Sequence, residues 1–232
     1  QCLDSIRQQD HVIVEVIAID DASTDATPTI LRNYSNAHPG FMTLRLNDAN
    51  VGLTKNLNIA VSLAKSEYVT YISADDYMLA DRLYLQLNLM RASGAELSYT
   101  DALVVGSDSH VLYERSSIEF PWPPEPFRSH SLQAELLRQN WIPAASIIVK
   151  ADELRAIGCY DESIFFEDYE LLTRAAAQGW AFSYIPEPLV AVRRLDTSLS
   201  ASRFMADDPP FLLALRKALT NFETADASTA AL

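Results

Sequence analysis

Asp20-Asp21, Asp75-Asp76 and Glu167-Asp168 each place two adjacent acids at the edge of an apolar run. Carboxylates side by side repel unless something positive lies between them, and a hard divalent cation such as Mg²⁺ or Mn²⁺ is the usual partner. Tyr68 to Ile72, rich in β-branched and aromatic side chains, runs directly into Asp75 and Asp76. The pattern predicts a buried strand that delivers two acids to its tip, where ligands bind in open parallel sheets. The plainer alternative is a turn and a cap for a helix beginning near Leu79. Asp20 and Asp21 end the run from Val12 to Ile19 in the same way, with capping of the next loop as their plainer role. Glu167 and Asp168 open an apolar helix, where acids gain roughly 0.3–1 kcal/mol from the dipole. Capping does not require the Phe165-Phe166 pair just before them.

The elements that must position these groups alternate. Thr27 and Pro28 read as the cap and first turn of a helix to about Ser35, followed by a strand from Phe41 to Leu46. Asn50-Val51-Gly52-Leu53 reads as a turn, and Thr54 to Lys65 as an amphipathic helix with Lys55 and Asn56 at its start. Strand and helix alternate through residue 93, which predicts a doubly wound parallel sheet with right-handed crossovers. Further along, Leu79 to Arg91 reads as a helix, Ala95 to Thr100 as a strand ending at Asp101, and Leu103 to Tyr113 as a hairpin. Phe120 to Phe127 is a proline-rich loop whose aromatic side chains favour burial. Ser131 to Gln139 and Asp152 to Ile157 are predicted helices, the second stopped by Gly158, with a short buried strand between them. Gly179 to Pro186 reads as a turn and edge strand, and Leu189 to Arg193 as another. Pro209 to Phe222 forms a helix with leucines near one face, packed on the domain or on a partner, and Asp226 to Leu232 is expected to be disordered. Gln1 to Gln9 has helical spacing with no strand before it, so the sequence is expected to be a fragment that begins mid-helix.

Composition narrows the classes. The 232 residues suit one α/β domain, and 18 basic against 31 acidic side chains leave a net charge of −13, which opposes binding to a nucleic-acid backbone. A phosphate-bearing ligand then needs local neutralisation. No apolar run approaches the roughly 18 residues of a membrane span, and nothing resembles a signal peptide, so a cytoplasmic protein is expected, free or peripheral at the inner face of the membrane. Cys2 and Cys159 are remote from each other and read as ordinary thiols. His11, His38, His110 and His130 share no metal-ligand spacing and read as surface loops.

Val16 to Asp25, then Asn50-Val51-Gly52 with Asn56, then Ser73-Ala74-Asp75-Asp76, in this order and spacing, resemble the nucleotide-sugar half of family-2 glycosyltransferases. The resemblance runs from residue 1 to about residue 202 and lacks only the family's opening strand. It implies a GT-A fold over residues 1–202, an α/β domain with a central, mostly parallel sheet and helices on both faces, followed by a C-terminal helix and tail over 203–232. It further implies that Asp20 and Asp21 lie by the nucleotide, that Asn56 faces the pocket, and that Asp75, with Asp76 beside it, holds Mg²⁺ or Mn²⁺ against the donor diphosphate. Ser73 replaces the first acid of the family's Asp-x-Asp motif, which leaves Asp75 as the main metal ligand. Glu167-Asp168 matches the family's Glu-Asp motif, so the resemblance makes Asp168 the base that takes the acceptor's proton, with Glu167 at its side. Arg193 and Arg194, with Ser198 and Ser200, resemble the segment that closes over the diphosphate, although Leu195 stands where the family often has His.

The activity implied is inverting transfer of a sugar from a nucleoside-diphosphate donor to a saccharide, lipid-linked or other hydroxyl acceptor, with oligomerisation left open. A GT-A-like domain that binds nucleotide without catalysis is the first alternative. A phosphoacceptor signalling domain is the second, and it ranks low because Lys65 precedes its strand instead of ending it.

Overall fold

The computed structural model describes residues 1–125, 132–195 and 209–229, with the side chains of 224–229 excepted. The expectations for Ser198, Ser200 and His130 fall outside these residues. Its elements are α1 (Cys2–Arg7), β1 (Val16–Asp20), α2 (Thr27–Ala37), β2 (Met42–Leu46), α3 (Leu53–Leu63), β3 (Tyr68–Val69), β4 (Tyr77–Met78) and α4 (Arg82–Ser93). Then follow β5 (Leu97–Val105), β6 (Val111–Tyr113), α5 (Leu132–Arg138), β7 (Ile148–Lys150), α6 (Ala151–Ala156), α7 (Glu167–Ala177), β8 (Phe182–Arg193) and α8 (Pro209–Thr229).

The α/β expectation with helices on both faces holds, and the strand sense is mixed instead of mostly parallel. β1 and β2 pair in parallel, and a second sheet runs β3-β7-β5-β8-β4 with β6 on β5. Within it, among the described residues, only β5 and β8 are parallel; β7 is antiparallel to β3 and β5, β4 to β8, and β6 to β5. A parallel pair needs a long crossover, which α5, α6 and α7 supply between β5 and β8. The alternation of a strand builds one core on each face. Leu97, Tyr99 and Val149 face Leu57, Trp141, Leu154, Leu171 and Leu172, whereas Ile148 faces Ile6, Met78, Leu83 and Met90.

Several expected boundaries move, each for a local reason. The strand from Tyr68 to Ile72 shortens to Tyr68–Val69 because the Thr70 hydroxyl donates to the Ile147 carbonyl at 2.6 Å and replaces the ladder bond there. β5 does not end at Asp101. That carboxylate turns inward, accepting from Ser116 and Ser117, and the strand continues to Val105. The two segments read near the end of the domain are one interior strand, β8, not edge strands. Its register against β5 jumps at Pro186 to Pro188, where proline lacks an N–H for the ladder. Thr27 is the first helical residue of α2 and not its cap; Asp25 Oδ1 accepts from its N–H at 2.9 Å. In the proline-rich loop Trp122 packs edge-on against Tyr99, with ring centres 5.3 Å apart, while Phe120 stays exposed. α8 extends through Thr229, so residues 226–229 are helical where disorder was expected. It packs on α7 through Ala214 and Ala218, with Phe211 edge-on to Phe166 at 5.6 Å.

Candidate active site

The first acids lie where β1 ends. Asp21 accepts from the Asn47 amide at 3.0 Å and from the N–H groups of Val51 at 2.9 Å and Gly52 at 2.8 Å. Asn47 also donates to Asn56 Oδ1 at 2.8 Å, so Asp21, Asn47 and Asn56 form one lattice around the turn that launches α3. Gly52 caps α3 at φ +89°, a backbone that side-chain-bearing residues rarely adopt. Burial pushes the Asp21 carboxyl up, but the bonds from Val51, Asn47, Asn56 and Gly52 outweigh it and bring it down to about 2. The sequence reading missed this turn-holding role, which the polar run from Asn47 to Asn50 signals. Asp20 differs. It is 4% exposed, Oδ2 accepts from the Ser23 N–H at 3.1 Å, and Oδ1 is buried with no hydrogen-bond partner among the described residues.

Asp21 yields a stability prediction. A carboxyl lowered from about 3.9 in the unfolded chain stabilises the fold above that pH, and the contribution fades as pH falls toward the folded value of about 2. Asp21→Asn turns an amide toward three N–H donors and is expected to cost about 1–3 kcal/mol at pH 7. Urea unfolding at pH 7 and pH 3 should show that cost shrinking at the lower pH; an equal cost at both rejects the carboxylate as its source.

Ser73 to Asp76 form a tight turn, closed by the Asp76 N–H on the Ser73 carbonyl at 3.1 Å. Asp75 is exposed, and its carboxylate makes no hydrogen bond or ion pair among the described residues. Asp76 is buried, with Oδ1 accepting the Arg193 N–H at 2.8 Å. Burial pushes its carboxyl up to about 7; the Arg193 N–H and guanidinium oppose this and the Asp75 charge adds to it. The Cys2 thiol beside this turn is pushed up to about 11 by burial, with Asp76 and Asp75 contributing.

The two arginines have separate intrachain partners. Arg193 donates Nε to the Asp75 carbonyl at 2.9 Å and its terminal nitrogens to Ser107 O, Gln1 Oε1 and Ser109 Oγ, at 3.1, 2.8 and 3.0 Å. A further bond reaches the Gly106 carbonyl, so the guanidinium fastens the acid turn to the β5–β6 turn. Arg194 lies just past the end of β8. There it forms a two-pronged ion pair with Glu119 and lies 5.7 Å from the centre of the Tyr113 ring.

The third pair opens α7. Glu167 is buried and accepts from the Tyr71 hydroxyl at 2.8 Å. Asp168 is half-buried and accepts at Oδ2 from the Asn140 amide at 3.0 Å. Burial pushes both carboxyls up. The Asp168 charge adds to the rise at Glu167, while the Tyr169 N–H and Asn140 oppose it at Asp168. Tyr71 lies four residues before Asp75, so one hydrogen bond ties the start of α7 to the segment that carries the acid turn. α3 is joined to the same region, since Thr54 Oγ1 donates to the Ile164 carbonyl at 3.3 Å and Asn58 to the Tyr160 carbonyl at 2.9 Å. Lys55 is exposed at the start of α3. Tyr71 and Asn140 were also missed: one sat inside a predicted strand, and the other followed a helix as an unremarked polar residue.

Comparison with known proteins gives this geometry its context. A model of the family "Glycosyl transferase family 2" matches residues 1–145. An uncharacterized protein of Mycobacterium tuberculosis, Rv1520, is 28% identical over 190 residues, covering 81% of this chain and 52% of that protein. The amylovoran biosynthesis glycosyltransferase AmsB of Erwinia amylovora is 27% identical over 190 residues, 81% of this chain and 62% of its own. The chain thus spans about half the length of curated relatives it matches. Among solved structures, Staphylococcus aureus TarS 1-349 in complex with UDP-GlcNAc aligns with a TM-score of 0.71 at 18% identity, over 95% of this chain and 61% of that one. The mannosyltransferase PcManGT from Pyrobaculum calidifontis, in complex with GDP-Man and Mn²⁺, aligns at 0.63 and 20% identity, over 99% of this chain and 70% of that one. At such identities the two structures establish a shared GT-A fold. Since one family model accounts for more than half of its residues, the chain belongs to glycosyl transferase family 2.

Proposed function

We propose that the chain moves a sugar from a nucleoside-diphosphate donor to a hydroxyl acceptor, inverting the anomeric carbon. The observation that carries this reading is the Tyr71–Glu167 bond, which holds the Glu167-Asp168 pair beside the segment leading into Asp75 and Asp76. Asp168 takes the acceptor's proton as its oxygen attacks, and the donor's diphosphate leaves from the opposite face, so no covalent enzyme intermediate forms. Asp20 and Asn56 line the nucleotide side, and Asp21 holds the turn between them. The name of AmsB, an amylovoran biosynthesis glycosyltransferase, supports a polysaccharide acceptor, with lipid-linked saccharides in the same chemical class. Among the described residues no helix is long and apolar enough to cross a membrane.

The residues suit a divalent cation of one kind. No group of three or more His, Cys, Asp or Glu side chains that could hold a metal ion occurs among the described residues. Mg²⁺-type sites instead use one or two carboxylates and complete their shell with substrate phosphates and water. Asp75 is exposed and unengaged, and would hold such a cation with Asp76 behind it. A bound cation would offset charge on the departing diphosphate.

Thermal shift with UDP-GlcNAc and GDP-Man, each with and without Mn²⁺, tests the reading. A ligand at one hundred times its Kd adds about 2.7 kcal/mol, or about 5–10 °C for a domain of this size. At least one nucleotide sugar should give such a shift with Mn²⁺, and Asp75→Asn should remove most of it. Neither nucleotide sugar shifting the wild type in either condition would sink the proposal.

A further inference from the structure

We propose that Asn140 is a positioning residue for Asp168, fixing the plane in which its carboxylate meets the acceptor's hydroxyl. The inference rests on Asp168 being the proton acceptor and adds a residue to that site.

Asn140 stands between α5 and a short 3₁₀ turn, Ala144–Ser146. Its amide has one usable orientation. Oδ1 accepts the Ile142 N–H at 3.1 Å, which leaves Nδ2 to donate to Asp168 Oδ2 at 3.0 Å. Flipping the amide would set its carbonyl against the carboxylate and its NH₂ against the Ile142 N–H, breaking both bonds. The segment carrying Asn140 is itself held from the core. Gln86 donates to the Ser146 carbonyl at 3.0 Å, Thr70 to the Ile147 carbonyl at 2.6 Å, and Arg82 to Thr70 Oγ1 at 2.9 Å. Arg82 and Gln86 are fully buried on α4, and Trp141, next to Asn140, is 2% exposed. A donor mounted on so fixed a frame stops the carboxylate from rotating about its Cβ–Cγ bond. It is also neutral, so it orders Asp168 without forming an ion pair that would weaken it as a base.

Among the described residues, the other groups near Asp168 leave this role unfilled. Glu167 precedes it on α7 and repels it, and the Tyr71 and Tyr160 phenols lie within electrostatic reach. On α5, Glu135 and Arg138 pair with each other; on α8, Lys217 pairs with Asp161; on α7, Arg174 pairs with Glu170.

The test uses the full chain, with release of nucleoside diphosphate from UDP-GlcNAc or GDP-Man and water as the hydroxyl where no other acceptor is supplied. In Asn140→Ala, kcat should fall about tenfold with donor KM unchanged, and the acid limb of the kcat profile should move up by about one pH unit as Asp168 loses a donor to its charged form. Asn140→Asp, which adds a second negative charge, should move the limb further. A carboxyl-¹³C titration of Asp168 should show the same ordering without reference to turnover. An unmoved titration in both variants overturns the contact. A moved titration with an unmoved acid limb overturns its part in catalysis, and so does a joint loss in kcat and KM with the limb in place, which marks a folding role. Turnover that persists in Asp168→Asn refutes the base assignment itself, a different outcome from any of these.

Discussion

Replacing Asp168 with asparagine is expected to lower nucleoside-diphosphate release by about 10²- to 10⁴-fold, the usual worth of a positioned general base, while leaving nucleotide-sugar affinity intact. The amide keeps the shape of the carboxylate, and its carbonyl can still accept from Asn140, so the local hydrogen bonding survives. It cannot take a proton. Folding should not suffer either. Burial raises the Asp168 carboxyl, which means the charged form is penalised in the fold and the group destabilises it as pH rises past the unfolded value; a neutral amide removes that penalty. Loss of turnover with unchanged or slightly higher thermal stability at pH 8 is therefore the signature of chemistry. Loss of both would assign Asp168 a structural role, and full turnover would remove it from the mechanism.

The largest expected effect on stability comes from Trp141→Ala. Trp141 heads the largest fully buried side chains and packs in the core that includes Leu136, Leu171, Leu172 and Tyr160. Truncating such a ring typically costs about 3–5 kcal/mol, a large share of the stability of any domain. The indole N–H has no hydrogen-bond partner among the described residues, so Trp141→Phe loses part of the volume without orphaning an acceptor and should cost less than Trp141→Ala. Urea midpoints for the two variants separate packing from polar loss. Equal midpoints would mean that this part of the core is not close-packed.

The sequence made the acids legible because each ends or begins an apolar run, and strand tips and helix starts are where such pairs concentrate. Asp21, Asn56 and Glu167 lie where local signals put them. Function was harder to read than place. Asp21 receives three donors of its own chain, and nothing in Ile19-Asp20-Asp21 shows that Asn47 and Val51 lie opposite. Arg193 and Arg194 were legible as adjacent cations, but one ends β8 and the other follows it, and what each meets depends on residues more than 70 positions earlier. Strand sense escaped for a similar reason. A two-residue strand such as Tyr77–Met78 has no helix before it to declare a crossover, and only its pairing with Val190 and Ala191 reveals its direction.

α7 is gripped along its length. Tyr71 and Asn140 hold its first turn, Arg174 near its far end donates to the Ile157 and Cys159 carbonyls, and α8 lies along its flank. Under the proposed function, a proton acceptor so immobilised would behave like the stop on a ruler. Of the several hydroxyls on an acceptor, the one that reaches the stop would react, so regiochemistry would become a matter of how far an acceptor can enter.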